Sequence, residues 1–185
     1  MARATIFHQM HDLGIAAWFG GTLANAVALN PASSEAGIST RVGAVANAGW
    51  DKWTPVNAAA IGVHLIGAAG LLKHDLGRAK VQQGVPSMAV TKTVLTVAAL
   101  GVTAYSRILG RRVSAHTDVP AESGTEPSAR TPDDVAAAQR QLRLLQWVVP
   151  ALTGALVVVS AQAGEEQRPT SVLDGLSARI PGLSG

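Results

Sequence analysis

The sequence predicts an all-α, polytopic membrane protein, a bundle of four transmembrane helices, and three observations predict it. Only 15% of the 185 residues are charged, whereas a soluble domain carries about 25%. The charges are segregated: four stretches, at about 12–30, 55–72, 88–109 and 143–162, are almost free of them. A charge at the centre of a bilayer costs at least ~2.5 kcal/mol, so hydrocarbon imposes such segregation. Finally, the few polar residues inside these stretches recur at helical spacing, as they do when helices turn polar faces toward one another.

Each stretch is near the ~17–25 residues that cross the hydrocarbon. The first begins at Asp12 and ends at Asn30-Pro31, because the residue before a proline avoids the α region. Ala24-Asn25-Ala26 would suit signal-peptide cleavage, but Asp12 directly before the apolar core and Trp18 inside it favour a retained span. Residues 31–54 read as a loop with a short amphipathic surface helix at 35–50, ending in Trp50 and Trp53. With Trp147 at the entry of the fourth span, these tryptophans suit an interfacial belt. Pro55 stands at the expected first position of the second helix, where its missing N–H does no harm. The third span follows Gly84-Val85-Pro86 and ends at Arg107, Arg111 and Arg112. Residues 113–131, rich in Ser, Thr, Pro, Glu and Gly, read as a flexible loop. Thr131-Pro132-Asp133-Asp134 then reads as a helix start: a capping hydroxyl, a proline and two acids for the first turn. The fourth helix projects by about three turns before entering the membrane. From 164 to 185 the chain is a polar tail, with a weak surface helix possible over 172–180.

Four inward faces follow from the spacing. They are His11, Gly14, Trp18, Gly21 and Asn25; Asn57, Ala60, His64, Gly67 and Leu71; Lys92, Thr96, Ala99, Thr103 and Ser106; and Gln146, Pro150, Thr153, Val157 and Ser160. In lipid a polar side chain needs a protein partner, and small residues let backbones approach closely. Alternating topology brings His64, Thr96 and Thr153 to similar depth near the midplane. His64 is the ionisable group there. It is either a neutral histidine bonded to a threonine or a backbone carbonyl, or a ligand or proton-relay group. On the face carrying the N-terminus, His8, His11 and Asp12 lie within one turn and His74 returns beside them, with Lys92 slightly deeper. Histidines and a carboxylate could bind zinc or copper. As ordinary interfacial residues they would instead leave Lys92 snorkelling or paired with Asp12. A haem fits poorly, since His64 and His74 lie ~15 Å apart along one helix.

The chain has no cysteine, which excludes disulfides, thiolate metal sites and cysteine nucleophiles. No GxSxG element, phosphate loop or nucleic-acid motif is present. The net charge of +3 suits anionic lipid better than nucleic acid. Both faces carry basic clusters, Lys73, Arg78 and Lys80 against Arg107, Arg111 and Arg112, so the positive-inside rule leaves orientation open.

The opening His8-Gln9-Met10-His11-Asp12-Leu13-Gly14-Ile15-Ala16-Ala17-Trp18-Phe19-Gly20-Gly21 resembles small multi-pass membrane proteins of actinobacteria that carry no assigned function. Trp53-Thr54-Pro55-Val56-Asn57 and Ala104-Tyr105-Ser106-Arg107 resemble the same group. The His-x6-Trp-x-Gly-Gly element is distantly similar to the first helix of copper-resistance D-type membrane proteins, but this chain has no methionine-rich copper motif. The resemblance implies a four-helix membrane protein and supplies no activity. The expectation is a non-enzymatic protein of the plasma membrane, an accessory subunit of a larger (for example respiratory) complex. Its partners would be the lipid bilayer and other membrane proteins or further copies of itself. One alternative is a metal- or cofactor-binding protein using the His/Asp cluster. The other is a small transporter with His64 at its site, for which the short helices leave little room.

Overall fold

The computed structural model describes residues 2–78, 85–116 and 118–166, dominated by four long helices. Helix α1 (Ala2–Ala24) runs on through a π-helical turn (Asn25–Leu29), one α turn (Asn30–Ala32) and a 3-10 turn (Ser33–Ala36). Helix α2 is Ser39–Arg78, α3 is Val85–Ser114 and α4 is Asp133–Glu166. Among the described residues the only strand-like pairing is an isolated bridge between Ala121 and Pro127. Four segments, Thr5–Ala36, Ser39–Lys73, Ser87–Ser114 and Asp133–Gly164, are long and apolar enough to cross a membrane. The tail beyond 166 lies outside the described residues, as does the surface helix expected at 172–180.

Helix α1 packs along both α2 and α4, and α3 lies along α4, whereas α2 and α3 barely meet. The inward faces read from spacing are inward. His11, Trp18 and Asn25 are buried on α1, Ala60, His64 and Leu71 on α2, Thr96 and Ala99 on α3, and Thr153 on α4. The main core gathers Ile15, Trp18, Ala99, Val149 and Leu156; a second cluster of Leu109, Val113, Val135 and Ala138 lies toward the end of α3. Two glycines set the α1–α2 contact. A Cβ on Gly14 would land on the backbone of Ala60 and His64, and one on Gly67 on the backbone of Phe7 and His11. The two helices therefore touch main chain to main chain, as small residues permit.

Several expected boundaries move. The first helix does not end at Asn30-Pro31. Asn30 stays helical (φ −65°, ψ −46°) and opens a new α turn whose second residue is Pro31. The stop comes at Gly37, whose φ of +74° is the left-handed conformation that glycine accepts. Residues 39–54 are not a separate surface helix but the first part of α2, so Pro55 lies inside a helix of 40 residues rather than at its start. A mid-helix proline leaves a carbonyl unpaired one turn earlier. The exposed position of Pro55 and of Asp51, which supplies that carbonyl, leaves it accessible.

Of the segment expected as a flexible loop at 113–131, residues 118–131 fold back over the bundle end. The segment begins as the last turn of α3. The Ala121 N–H then donates to the Ser39 carbonyl at 3.2 Å and the Gly124 N–H to the Asn30 carbonyl at 3.4 Å. Thr131 is not a helix cap. Its hydroxyl donates to the Pro120 carbonyl and accepts from the Ser128 N–H at 2.9 Å, closing the loop on itself.

Candidate functional site

His64 sits where α1, α2 and α3 converge and is fully buried. The contact at Gly14 and Gly67 brings the α1 backbone to its ring, and the His11 carbonyl stands 3.3 Å from Nδ1. A carbonyl only accepts, so Nδ1 carries the hydrogen. In the neutral ring Nε2 is then an acceptor, and the Thr96 hydroxyl, 3.3 Å away, donates to it. The ring of His11 lies 4.5 Å from that of His64, and Trp18 meets His64 edge-on at 6.2 Å. His11 in turn donates from Nδ1 to the exposed Asp12 carboxylate at 2.9 Å. A polar chain thus runs from the surface inward, Asp12 to His11 to His64 to Thr96. Lys92, half-buried on α3, lies within electrostatic range of both Asp12 and His64, and His8 within range of Asp12.

Other predicted site residues stay apart from this chain. Thr153 is buried but donates to the Val149 carbonyl of its own helix at 2.8 Å, and Asn25 donates to the Gly21 carbonyl at 2.9 Å. The side chain of His74 lies outside the described residues. Among the described residues no group of three His, Asp or Glu side chains converges as a metal site.

A second site was not anticipated. A cavity of about 330 Å³ lies between the four helices at the end capped by residues 118–131, away from His64. Trp50 and Trp53, expected as interfacial anchors, turn toward it, while Trp147 remains exposed. Its roof is a hydrogen-bonded cluster centred on Asn30. The amide Nδ2 of Asn30 donates to Gln146 at 2.8 Å, and its Oδ1 accepts from the Trp50 indole at 3.0 Å. Asn30 reaches this position because the π-helical turn adds a residue. At α spacing Ala28 or Leu29 would follow Asn25 on the inner face, but Ala28 is exposed and Asn30 is buried. Sequence periodicity misses it for that reason.

Among the residues around this cavity several have a buried polar atom with no hydrogen-bond partner among the described residues. These atoms are Nε1 of Trp53, Oδ1 of Asn57, the hydroxyls of Thr103 and Ser106, and Nε of Arg107. The Arg107 guanidinium reaches Asp51 of α2 at 3.5 Å. Asn57, Thr103 and Ser106 were read as packing residues and Arg107 as the mark of a span's end; their convergence depends on helix register and α2 length, which spacing within one helix does not report. No protein-family model, curated protein or solved structure matches the chain.

Proposed function

We propose that this is an integral, multi-pass protein of the cell membrane with no catalytic task, serving as an accessory subunit of a larger membrane assembly. The inverted distribution of polarity carries the reading. Leu13, Val94, Val97 and Val158 are 56–70% exposed, while His64, Thr96 and Thr153 are buried. Apolar surface left in water forgoes ~25 cal/mol per Å², a loss absent in hydrocarbon. The accessory role is supported by α3, which the bundle covers along α4 but scarcely elsewhere. Its outer face of Val90, Val94 and Val97 is at least 60% exposed, an apolar surface that a neighbouring transmembrane helix can cover.

The lack of native cysteine makes single-cysteine variants clean reporters. In native membranes Val94→Cys and Val158→Cys resist a membrane-impermeant maleimide while Ser123→Cys reacts. Equal labelling of Val94→Cys and Ser123→Cys would end the membrane reading. The subunit reading expects a complex larger than the monomer on extraction with mild detergent, and loss of that complex in Val94→Arg. A monomer quantitatively recovered in native-lipid particles counts against it.

The metal-binding alternative retains one observation, the approach of the His11 and His64 rings from different helices, with centroids 4.5 Å apart. Equilibrium dialysis against zinc and copper decides it. Stoichiometric metal lost in His11→Ala supports it, and none bound by the intact protein ends it.

A further inference from the structure

We infer that the capped end of the bundle carries a collar for the head groups of anionic glycerophospholipids, built from Lys52, Arg111, Arg112 and Arg140. The inference rests on the membrane placement proposed above.

One pairing recurs on three helices. Lys52 of α2 has Val56 one turn deeper, Arg140 of α4 has Leu144, and Arg112 of α3 has Ile108. Residues four apart share a face of a helix. All six side chains are exposed, Val56 by 50%, Ile108 by 51% and Leu144 by 70%. In every pair the cation is the member nearer the capped end. The step between members is about 6 Å along the axis, close to the ~5–7 Å that a head-group layer adds to the hydrocarbon on each side. A lipid whose chain covers the apolar member therefore brings its phosphate to the cation.

The three pairs lie at similar height. Tyr105 of α3 donates to Gln141 of α4, and Arg107 of α3 reaches Asp51 of α2 at 3.5 Å. These contacts set Lys52 and Arg140 about level, with Arg111 and Arg112 within two turns above them, a range that long side chains span.

The charge at this height is uncompensated. Asp51 and Glu126 reach it but are engaged by Arg107 and Arg143, at 3.5 and 3.2 Å. Asp134, level with the last turn of α3, meets His116 at 3.8 Å. Among the described residues Lys52, Arg111, Arg112 and Arg140 form no ion pair within 4 Å. Phosphatidylcholine carries its own cation beside the phosphate and gains little from such a collar. A phospholipid without that cation gains more. An acidic protein would meet the four cations but not the apolar members one turn deeper, which face hydrocarbon.

The test uses the full chain in nanodiscs of phosphatidylcholine and phosphatidylglycerol, one of the two carrying brominated chains. Bromine quenches Trp147, the one exposed tryptophan of the four, which lies on the face of Arg140 and Leu144. Expected at low salt is a ~5-fold preference for phosphatidylglycerol around the protein, weakened by sodium chloride. Arg111→Gln, Arg112→Gln and Arg140→Gln combined reduce it below ~2-fold. Lysine at the same three positions restores it, because a charge and not a fixed fork is required. Arg130→Gln, at an exposed arginine of the segment over the bundle end, leaves it unchanged. Sodium phosphate weakens it no more than sodium chloride of equal ionic strength. Equal affinity for the two lipids, a preference that survives the glutamine variant, or a loss that lysine does not restore overturns the inference. So does an equal loss in Arg130→Gln, or a greater loss in phosphate, which would assign the arginines to a free anion. Quenching of Trp147 by neither brominated lipid overturns the membrane placement instead.

Discussion

At the scale of single residues, His64 shows how small the polar terms are beside the packing they accompany. Its ring is bonded on both sides, by the His11 carbonyl and the Thr96 hydroxyl, and is wedged against His11 and Trp18. An interhelical hydrogen bond between membrane helices contributes only ~0.6 kcal/mol. Truncating a large buried side chain costs ~2–5 kcal/mol through the cavity it leaves. His64→Ala should therefore destabilise by ~2–4 kcal/mol and Thr96→Val by no more than ~1 kcal/mol, read from unfolding in mixed micelles. Equal losses for the two variants would show that the bond, not the packing, holds the helices. Asn30 is the opposite case. Its side-chain amide bonds Gln146 of α4 and Trp50 of α2, and its backbone carbonyl accepts from the Gly124 N–H and the Ser33 hydroxyl. Asn30→Ala should loosen the roof of the cavity and change Trp50 fluorescence, with the His64 region unaffected. A change at His64 as large as that at Trp50 would mean that the two sites are coupled.

At the scale of elements, the glycines separate close contact from open surface. Gly14→Ala forces a methyl group into the α2 backbone and should cost ~1–3 kcal/mol, whereas Gly20→Ala, which meets nothing, should gain up to ~1 kcal/mol from helix propensity. Opposite signs in thermal unfolding check the assignment; like signs would deny the α1–α2 contact. The existence, number and inner faces of the helices were legible in the sequence, because the period of small and polar residues reports directly which side of a helix is covered. His64 between a carbonyl and Thr96 was legible too, as one of two readings. The ends of elements were not. Pro55 reads as a helix start by local chemistry, yet its helix begins sixteen residues earlier, at Ser39. Pro31 reads as a stop, and tertiary bonds to Asn30 hold the preceding turn helical regardless. The cavity was illegible for the same reason: it arises where α2 and α3 fail to meet, and a pattern along one helix says nothing about the spacing between two.

At the scale of the whole molecule, the described residues between α3 and α4 behave as a lid tied to α4. Arg143 of α4 reaches Glu126 at 3.2 Å, and His116 reaches Asp134 at 3.8 Å. Trypsin should cut slowly after Arg130 in the native protein, and Thr131→Val, which loses the bond to Pro120, should speed the cut severalfold. Rapid cleavage of the unaltered chain would contradict the ordered fold-back. The length of α2 has a further consequence. Forty residues make roughly 60 Å, about twice the hydrocarbon of a bilayer, so with the bundle embedded as proposed one storey stands in water and one in lipid. The cluster of Leu109, Val113, Val135 and Ala138 belongs to the upper storey. The two levels obey different solvents: urea, which acts through water, should dissolve the upper one first and leave a truncated bundle anchored below.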